Sequence, residues 1–358
     1  MENKIQAFAT LGKFLKQFDS VSFMENSQLA EVNELYAKPF LLAIKTAEIY
    51  NPWFTRDFML YSFSSFAEML EEEKLRKWVD NYPQLKNFSG KRLNIGIIMA
   101  GNIPLVGLHD LVSVCFSNHK AVVKMSSKDE KLMPVLRDVL CHSNPEFAET
   151  ILLLTEPLKN IDAVIATGSD NSSRYFEYYF GKYPHIIRKN RNSVAILTGD
   201  ETPDDYKNLA DDIFLYFGMG CRSVSKLFLP LGFNIPNMLD NFESYSYLYN
   251  HNKYANNYDY YKAIYLVNLL KHLDTGYLLL KEDQSLSSPV GIVFYEYYNE
   301  WPQLKGRLET DAEKIQCCVS GSDFIENYVG FGNSQKPGLN DYPDNADTLK
   351  FLLNLNKK

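Results

Sequence analysis

Apolar side chains recur at intervals of three and four residues through the first part of the chain, up to about residue 88. This spacing places them on one face of a helix, and within 58–79 the intervening positions carry charge. The pair Asn51-Pro52 predicts a helix boundary, because the residue before a proline avoids the helical region. We therefore expect residues 1–90 to form a helical N-terminal region, and its sequence indicates no chemistry.

From Lys91 onwards, short apolar runs alternate with helix-like segments. The apolar runs predict buried strands at 93–99, 121–125, 163–166, 193–197, 226–230 and 290–298. The amphipathic segments predict helices at 105–117, 129–140, 204–217 and from about 346. Strands alternating with helices favour a parallel sheet with crossover helices. In such sheets ligands bind beyond the carboxyl ends of the strands.

Composition narrows the class of protein. The chain has 358 residues, 46% hydrophobic and 23% charged, which is the balance of a folded protein of one to three domains. Its net charge of −7 and pI near 5.5 argue against a nucleic-acid partner. No apolar run approaches the ~20 residues that span a bilayer, and the first residues do not resemble a signal peptide. We therefore expect a cytoplasmic protein without a membrane span.

The five cysteines follow no metal-binding spacing, which predicts reduced thiols and no structural metal. Cys221 stands out in the glycine-flanked segment Gly-Met-Gly-Cys-Arg-Ser, which we expect to open a short helical segment. A helix N-terminus lowers the pKa of a thiol, and Arg222 and Lys226 act in the same direction if they face the sulfur. From the residues alone, a buried structural cysteine remains the alternative.

Five segments follow one another along the chain: Ala100-Gly101-Asn102-Ile103-Pro104, the run AVVKMSS at 121–127, Ala166-Thr167-Gly168-Ser169, the Cys221 segment at 218–223 and the tail at 341–352. In this order they resemble the aldehyde dehydrogenase superfamily, most closely its acyl-CoA reductase branch of LuxC-like fatty-acid reductases. The resemblance covers residues 91–358. It implies an α/β fold of the aldehyde dehydrogenase type. A Rossmann-type cofactor domain would span 91–198 with 326–358, and an α/β catalytic domain 199–325.

The resemblance implies a role for each segment. Cys221 would attack an acyl-CoA thioester, and Asn102 with the Cys221 backbone N–H would stabilise the oxyanion. Hydride from a nicotinamide cofactor would then reduce the acyl-enzyme to an aldehyde. The residues implied at the cofactor are Lys124, Ser126, Ser127, Thr167, Gly168 and Ser169. For Asn102 an ordinary turn residue is the alternative, because asparagine favours turns on its own account.

Three departures from the family pattern refine this expectation. Arg188 stands nearest the position of the general-base glutamate of hydrolytic members, so hydrolysis of the acyl-enzyme should be slow. Ser127 replaces the carboxylate with which NAD-preferring members hold the ribose, which favours NADPH. The glutamate that holds the nicotinamide ribose in the family has no clear match near 285–289.

The predicted reaction is NADPH-dependent reduction of a long-chain acyl-CoA to the aldehyde. The resemblance implies a homo-oligomer and leaves open an acyl-donating partner enzyme. Two other interpretations remain: a short-chain CoA-acylating aldehyde dehydrogenase, and a non-reducing carrier that holds an acyl group on Cys221.

Three further features have weaker interpretations. Cys317-Cys318 fits a redox pair less well than packed core, and His109 fits a proton donor less well than a surface or core histidine. The tyrosines of 245–265 fit an acyl tunnel, a dimer surface or an aromatic core.

Overall fold

The computed structural model describes residues 1–18, 23–87, 90–168, 170–321 and 328–357. The chain forms two compact units, the first made of Met1–Lys189 with Lys336–Lys358 and the second of Asn190–Gln335. Each unit contains hydrophobic clusters built from its own residues. Within the described ranges, no helix combines the length and the apolar character needed to cross a membrane.

Four helices begin the first unit. They are α1 (Glu2–Lys16), α2 (Ala30–Tyr50), α3 (Arg56–Met69) and α4 (Glu72–Asp80). Helix α2 ends where the Asn51-Pro52 pair predicts a boundary. Buried phenylalanines join the helices: the Phe40 ring of α2 lies between Phe14 of α1 and Phe63 of α3, at centroid distances of 5.5 and 5.1 Å. Aromatic packing therefore holds this helical layer together.

A five-stranded parallel sheet follows in the same unit. Its strands are β1 (Asn94–Ile98), β2 (Lys120–Lys124), β3 (Ile151–Leu154), β4 (Ala163–Thr167) and β5 (His185–Arg188). The helices between them are α5 (Leu108–Phe116), α6 (Leu132–Ser143), α7 (Phe147–Thr150) and α8 (Asp170–Phe180). In the strand order β3-β2-β1-β4-β5, the chain adds β2 and β3 on one side of β1 and then β4 and β5 on the other side, so the order of addition reverses at β1. In doubly wound sheets the crevice at such a reversal, here beyond the carboxyl ends of β1 and β4, is the usual ligand site.

The second unit contains a six-stranded sheet in the order β11-β6-β7-β10-β9-β8. Its strands are β6 (Asn192–Ile196), β7 (Val224–Pro230), β8 (Leu273–Asp274), β9 (Leu279–Glu282), β10 (Ile292–Tyr298) and β11 (Ile315–Val319). The helices are α9 (Pro203–Phe214), α10 (Ile235–Asp240), α11 (Asn252–Val267) and α12 (Trp301–Thr310). Neighbouring strands are parallel except for the antiparallel pair β8 and β9.

The C-terminal tail belongs to the first unit and ends in α13 (Thr348–Asn354). The Trp78 indole of α4 donates to the Tyr342 hydroxyl at 2.8 Å, and that hydroxyl lies 2.7 Å from the Tyr82 hydroxyl. Tyr82 also donates to Asp347 at 3.0 Å, and Asp347 caps α13 by accepting the Lys350 N–H at 2.8 Å. The tail segment that resembles the reductase signature thus fastens the end of the chain to α4.

Candidate active site

Cys221 lies in a turn that leads directly into β7. The short helical segment predicted after this cysteine is therefore wrong, and a helix N-terminus does not act on the thiol. The two neighbouring cations have other partners. The Lys226 ammonium forms an ion pair with Glu296 at 3.1 Å, and the Arg222 Nε donates to the Ser334 carbonyl. Activation of the thiol by these two charges is therefore not supported by their contacts.

The backbone before the turn is strained. Tyr216, Phe217 and Gly218 follow one another in the left-handed region, with φ of 55°, 57° and 73°. For non-glycine residues such a conformation costs about 1–3 kcal/mol each and is held by the surrounding structure. The predicted helix at 204–217 accordingly ends early, at Phe214. Phe217 is buried, with its ring centroid 4.5 Å from that of His251, so packing helps to hold the strained segment.

Hydrogen bonds fix the turn itself. The Ser223 N–H donates to the Gly220 carbonyl at 3.0 Å, and the Gly220 N–H donates to the Ser223 hydroxyl at 3.2 Å. From β6, the Ser193 hydroxyl donates to the Cys221 carbonyl at 2.9 Å. The Cys317 sulfur lies 3.0 Å from the same hydroxyl. Hydrogen bonds within the turn and one from the neighbouring strand β6 therefore hold the backbone at Cys221.

Three of the four other thiols are poor nucleophiles. Burial raises the pKa of Cys115 and of Cys318 to about 12, because desolvation disfavours the thiolate. Burial also raises the pKa of Cys141. Since the thiolate is the reactive form, these three side chains stay protonated and unreactive near neutral pH.

Asn102 lies exposed in the turn after β1. The preceding Gly101 packs so closely on the loop after β2 that a Cβ would lie 2.4 Å from the Ser126 hydroxyl oxygen. Further along the turn, Leu105 is left-handed with φ of 59°, and its N–H donates to the Asp129 carboxylate at 2.8 Å. The turn that carries Asn102 is thus fastened to the loop after β2.

A second link between these two turns comes from the N-terminal helices. The buried Asn51 amide, just after α2, donates to the Gly101 carbonyl at 3.4 Å and to the Lys128 carbonyl at 3.3 Å. The sequence indicated only a helix boundary at Asn51, and no motif marked Asp129. Neither residue carries a local signal for this role, because their partners are distant along the chain.

The residues predicted at the cofactor lie at the carboxyl ends of two strands that flank β1. Lys124 ends β2, and Ser126 and the exposed Ser127 follow it in the adjoining loop. Thr167 ends β4 and Gly168 follows it. A Cβ on Gly168 would lie 2.8 Å from both the Phe176 ring and the Ser172 Cβ, so the turn passes closely over α8. Ser169 lies outside the described residues.

Arg188 ends β5 with its side chain only 3% exposed. Its guanidinium donates to both carboxylate oxygens of Asp110 on α5, at 2.5 and 2.8 Å. It also donates to the Thr167 hydroxyl at 3.2 Å and to the Thr348 hydroxyl of α13 at 3.0 Å. The residue predicted to stand nearest the family's general-base position is therefore a buried, charge-paired cation that donates to Thr167.

The weaker candidates fall in the packed interior. His109 is buried, its Nε2 lies 3.1 Å from the Leu339 carbonyl oxygen, and burial lowers its pKa, as expected for a core histidine. Tyr245 stacks on Phe214 with centroids 4.9 Å apart, and Tyr254 lines a cavity of only about 20 Å³. The buried tyrosines of 245–265 are thus aromatic core. In the part of the chain that the structure describes, no group of three His, Cys, Asp or Glu side chains is arranged to hold a metal ion.

The sequence matches the family described as "Acyl-CoA reductase (LuxC)" over residues 9–238, a range that includes Asn102 and Cys221. The chain belongs to the acyl-CoA reductase (LuxC) family. It is therefore an oxidoreductase of the acyl-CoA and aldehyde class. The matched range begins within α1, so the N-terminal helices belong to the family region, which the resemblance beginning at residue 91 did not include. None of the curated protein sequences compared with this LuxC family member is significantly similar to it.

Solved structures similar to this reductase family member include aldehyde dehydrogenases, which confirms the predicted α/β fold. Aldehyde dehydrogenase 21 from Physcomitrella patens, solved with the product succinate, has a TM-score of 0.61 and 11% identity, covering 97% of this chain and 84% of that chain. An NAD-dependent aldehyde dehydrogenase from Sinorhizobium meliloti has a TM-score of 0.64 and 12% identity, covering 90% and 70%. An NADP dependent enzyme from E. coli has a TM-score of 0.61 and 11% identity, covering 88% and 73%.

Proposed function

We propose that the protein uses NADPH to reduce long-chain acyl-CoA thioesters to aldehydes, through an acyl-enzyme on Cys221. The observation that carries this proposal is the position of Cys221 in a hydrogen-bonded turn that directly follows a strained segment, in a chain that belongs to the acyl-CoA reductase family. Backbone strain held by packing is characteristic of functional sites.

In the proposed reaction the Cys221 thiolate attacks the thioester carbonyl and forms a tetrahedral oxyanion. The Asn102 amide and the Cys221 backbone N–H donate to that oxygen, and one donor of this kind contributes roughly 3 kcal/mol to transition-state stabilisation. Collapse of the intermediate breaks the carbon–sulfur bond to coenzyme A and leaves the acyl-enzyme. When bound, the nicotinamide cofactor supplies the hydride. The resulting thiohemiacetal then releases the aldehyde and regenerates the Cys221 thiol.

The absence of a base at Arg188 supports reduction over hydrolysis. A guanidinium does not accept a proton from water near neutral pH, and this one is buried against Asp110. An acyl-enzyme that water attacks only slowly persists long enough to accept hydride.

The chemistry of the loop after β2 fits the 2′-phosphate of NADPH. Lys124 and the exposed Lys128 offer two cations, and Ser126 offers a hydroxyl donor, for a phosphate. The one carboxylate among residues 124–129 is Asp129, which is buried and engaged with the Leu105 N–H. The structurally similar enzymes include both an NAD-dependent and an NADP dependent protein, so the fold alone does not decide the preference.

Intact mass spectrometry after incubation with acyl-CoAs of graded chain length tests the proposal. We expect one acyl adduct on the wild type, none on Cys221→Ala and an undiminished adduct on the matched control Cys317→Ala. Addition of NADPH should discharge the adduct and consume the cofactor, at a greater rate than with NADH. An adduct that survives Cys221→Ala overturns the assignment of the nucleophile.

The same measurements separate the alternatives. A higher rate on acetyl-CoA than on long-chain acyl-CoA favours a short-chain CoA-acylating aldehyde dehydrogenase. An adduct at Cys221 without consumption of either nicotinamide cofactor favours the non-reducing carrier.

A further inference from the structure

Residues 330–335, which we call the clamp loop, contact the turn that presents Cys221. The Arg222 Nε donates to the Ser334 carbonyl, and the Gln335 amide donates to the Ser223 hydroxyl at 3.1 Å. Ser334 and Gln335 are both buried. The two residues that follow the nucleophile are therefore both bonded to this loop, although the loop lies more than a hundred positions further along the chain.

The clamp loop is in turn bound by one carboxylate. Asp212 of α9 is 1% exposed, and its two oxygens accept the Gly332 N–H at 2.7 Å and the Ser334 N–H at 2.9 Å. Burial raises the pKa of Asp212 to about 6, since desolvation outweighs these hydrogen bonds. Because its two oxygens bind different backbone N–H groups, this buried carboxylate fixes the path of the clamp loop at two residues.

Close packing on α9 further restricts the conformation of the clamp loop. Gly332 is left-handed with φ of 79°, and a Cβ there would lie 3.1 Å from the Cβ of Asn208. Only glycine adopts this conformation without strain at this separation. Helix α9 therefore holds the clamp loop through both Asp212 and the surface around Asn208.

We propose that Asp212 is a positioning residue for Cys221: it fixes the clamp loop, and the loop fixes the nucleophile turn through Arg222 and Ser223. This inference rests on the proposed role of Cys221. The strained segment at 216–218 lies between Asp212 and the two bonded residues Arg222 and Ser223, and residues in unfavourable backbone conformations persist only where surrounding contacts over-determine them. Arg222 then acts through its hydrogen bond and not through its charge on the sulfur.

The test compares Asp212→Asn with Asp211→Asn. Asparagine keeps the shape of Asp212 but turns an NH2 group towards one of the two backbone N–H donors. Asp211 is the next residue of α9, and its carboxylate accepts from the Tyr245 hydroxyl at 2.7 Å and does not bind the clamp loop, so it is a matched control. Small misplacements of reacting groups cost roughly 100-fold in rate. We expect Asp212→Asn to lower the single-turnover acylation rate about 10- to 100-fold, with the Kd for NADPH unchanged.

A second variant separates positioning from charge and does not alter a buried carboxylate. Arg222→Lys keeps the positive charge but loses the Nε donor, so positioning predicts a loss of acylation rate comparable to that of Asp212→Asn. Wild-type acylation rates in both Asp212→Asn and Arg222→Lys, with Asp211→Asn also unchanged, overturn the inference while Cys221 remains the nucleophile. Absence of an acyl adduct on the wild type would instead overturn the proposed function, and the positioning role with it.

Discussion

At the scale of single residues, Asp129 holds the turn that carries Asn102, and its titration makes the stability of the protein depend on pH. Burial raises its pKa to about 7, and the Leu105 N–H offsets only part of that effect. An unfolded aspartate titrates near pKa ~3.9. Between these values the folded chain binds more protons than the unfolded chain. The stability that Asp129 contributes is therefore complete below about pH 4 and is lost as the pH rises through about 7.

Asp129→Asn should remove this part of the pH dependence. We expect the wild type to lose up to about 4 kcal/mol of unfolding free energy between about pH 4 and pH 8 that the variant does not lose. Urea denaturation of both proteins across this range measures the difference, in which the other carboxylates cancel. Parallel curves for the two proteins would contradict the prediction.

The sequence located the turns of Asn102 and Cys221 but not the side chains that hold them. Asn51 reaches a turn 50 residues away, and Asp212 reaches the clamp loop 120 residues away. Such contacts exist only once the chain has folded, and no local sequence pattern predicts them. A turn is different, because glycine and asparagine mark it by their own conformational preferences.

At the scale of elements, six inner strands were predictable, whereas the inner strand β9 and the edge strand β3 were not. Strands β1, β2, β4, β6, β7 and β10 lie within or close to the predicted runs, since buried parallel strands are continuously apolar. Strand β3 was missed: it lies at a sheet edge, where Leu152 is 54% exposed. The expected helix after Cys221 does not form because β7 begins at Val224, two residues before the predicted run, which leaves too few residues for a helical turn.

A buried cation joins four elements in the first unit, and its loss should weaken cofactor binding. Thr348→Val removes the α13 hydroxyl that accepts from Arg188, which leaves part of a buried charge unsatisfied at a cost of roughly 1–3 kcal/mol. Since Arg188 also orients Thr167, we expect a several-fold higher Kd for NADPH with little change in the acylation rate of Cys221.

Fluorescence titration with NADPH measures this Kd. Thr310→Val is the matched control, because the Thr310 hydroxyl makes only a local bond to the Gly306 carbonyl on α12. An unchanged Kd in Thr348→Val would show that the Arg188 network supports the fold without positioning the cofactor turn.

At the scale of the whole molecule, the proposed cofactor residues and the proposed nucleophile belong to different compact units. Lys124, Ser127 and Thr167 lie in the first unit and Cys221 in the second. Each unit has its own hydrophobic clusters, which is the condition for separate unfolding. Two of the three tryptophans, Trp53 and Trp78, report on the first unit, and Trp301 reports on the second.

Binding of NADP+ should therefore stabilise the units unequally. At a concentration 100 times Kd, a ligand that binds only the folded form adds about 2.7 kcal/mol to the stability of what it binds. We expect this gain in the urea transition of Trp301→Phe, whose fluorescence follows the first unit, and a smaller gain in Trp53→Phe/Trp78→Phe, which follows the second. Equal shifts in both proteins would contradict the prediction. They would mean that the cofactor's binding energy is shared by the whole chain, because its two units unfold together.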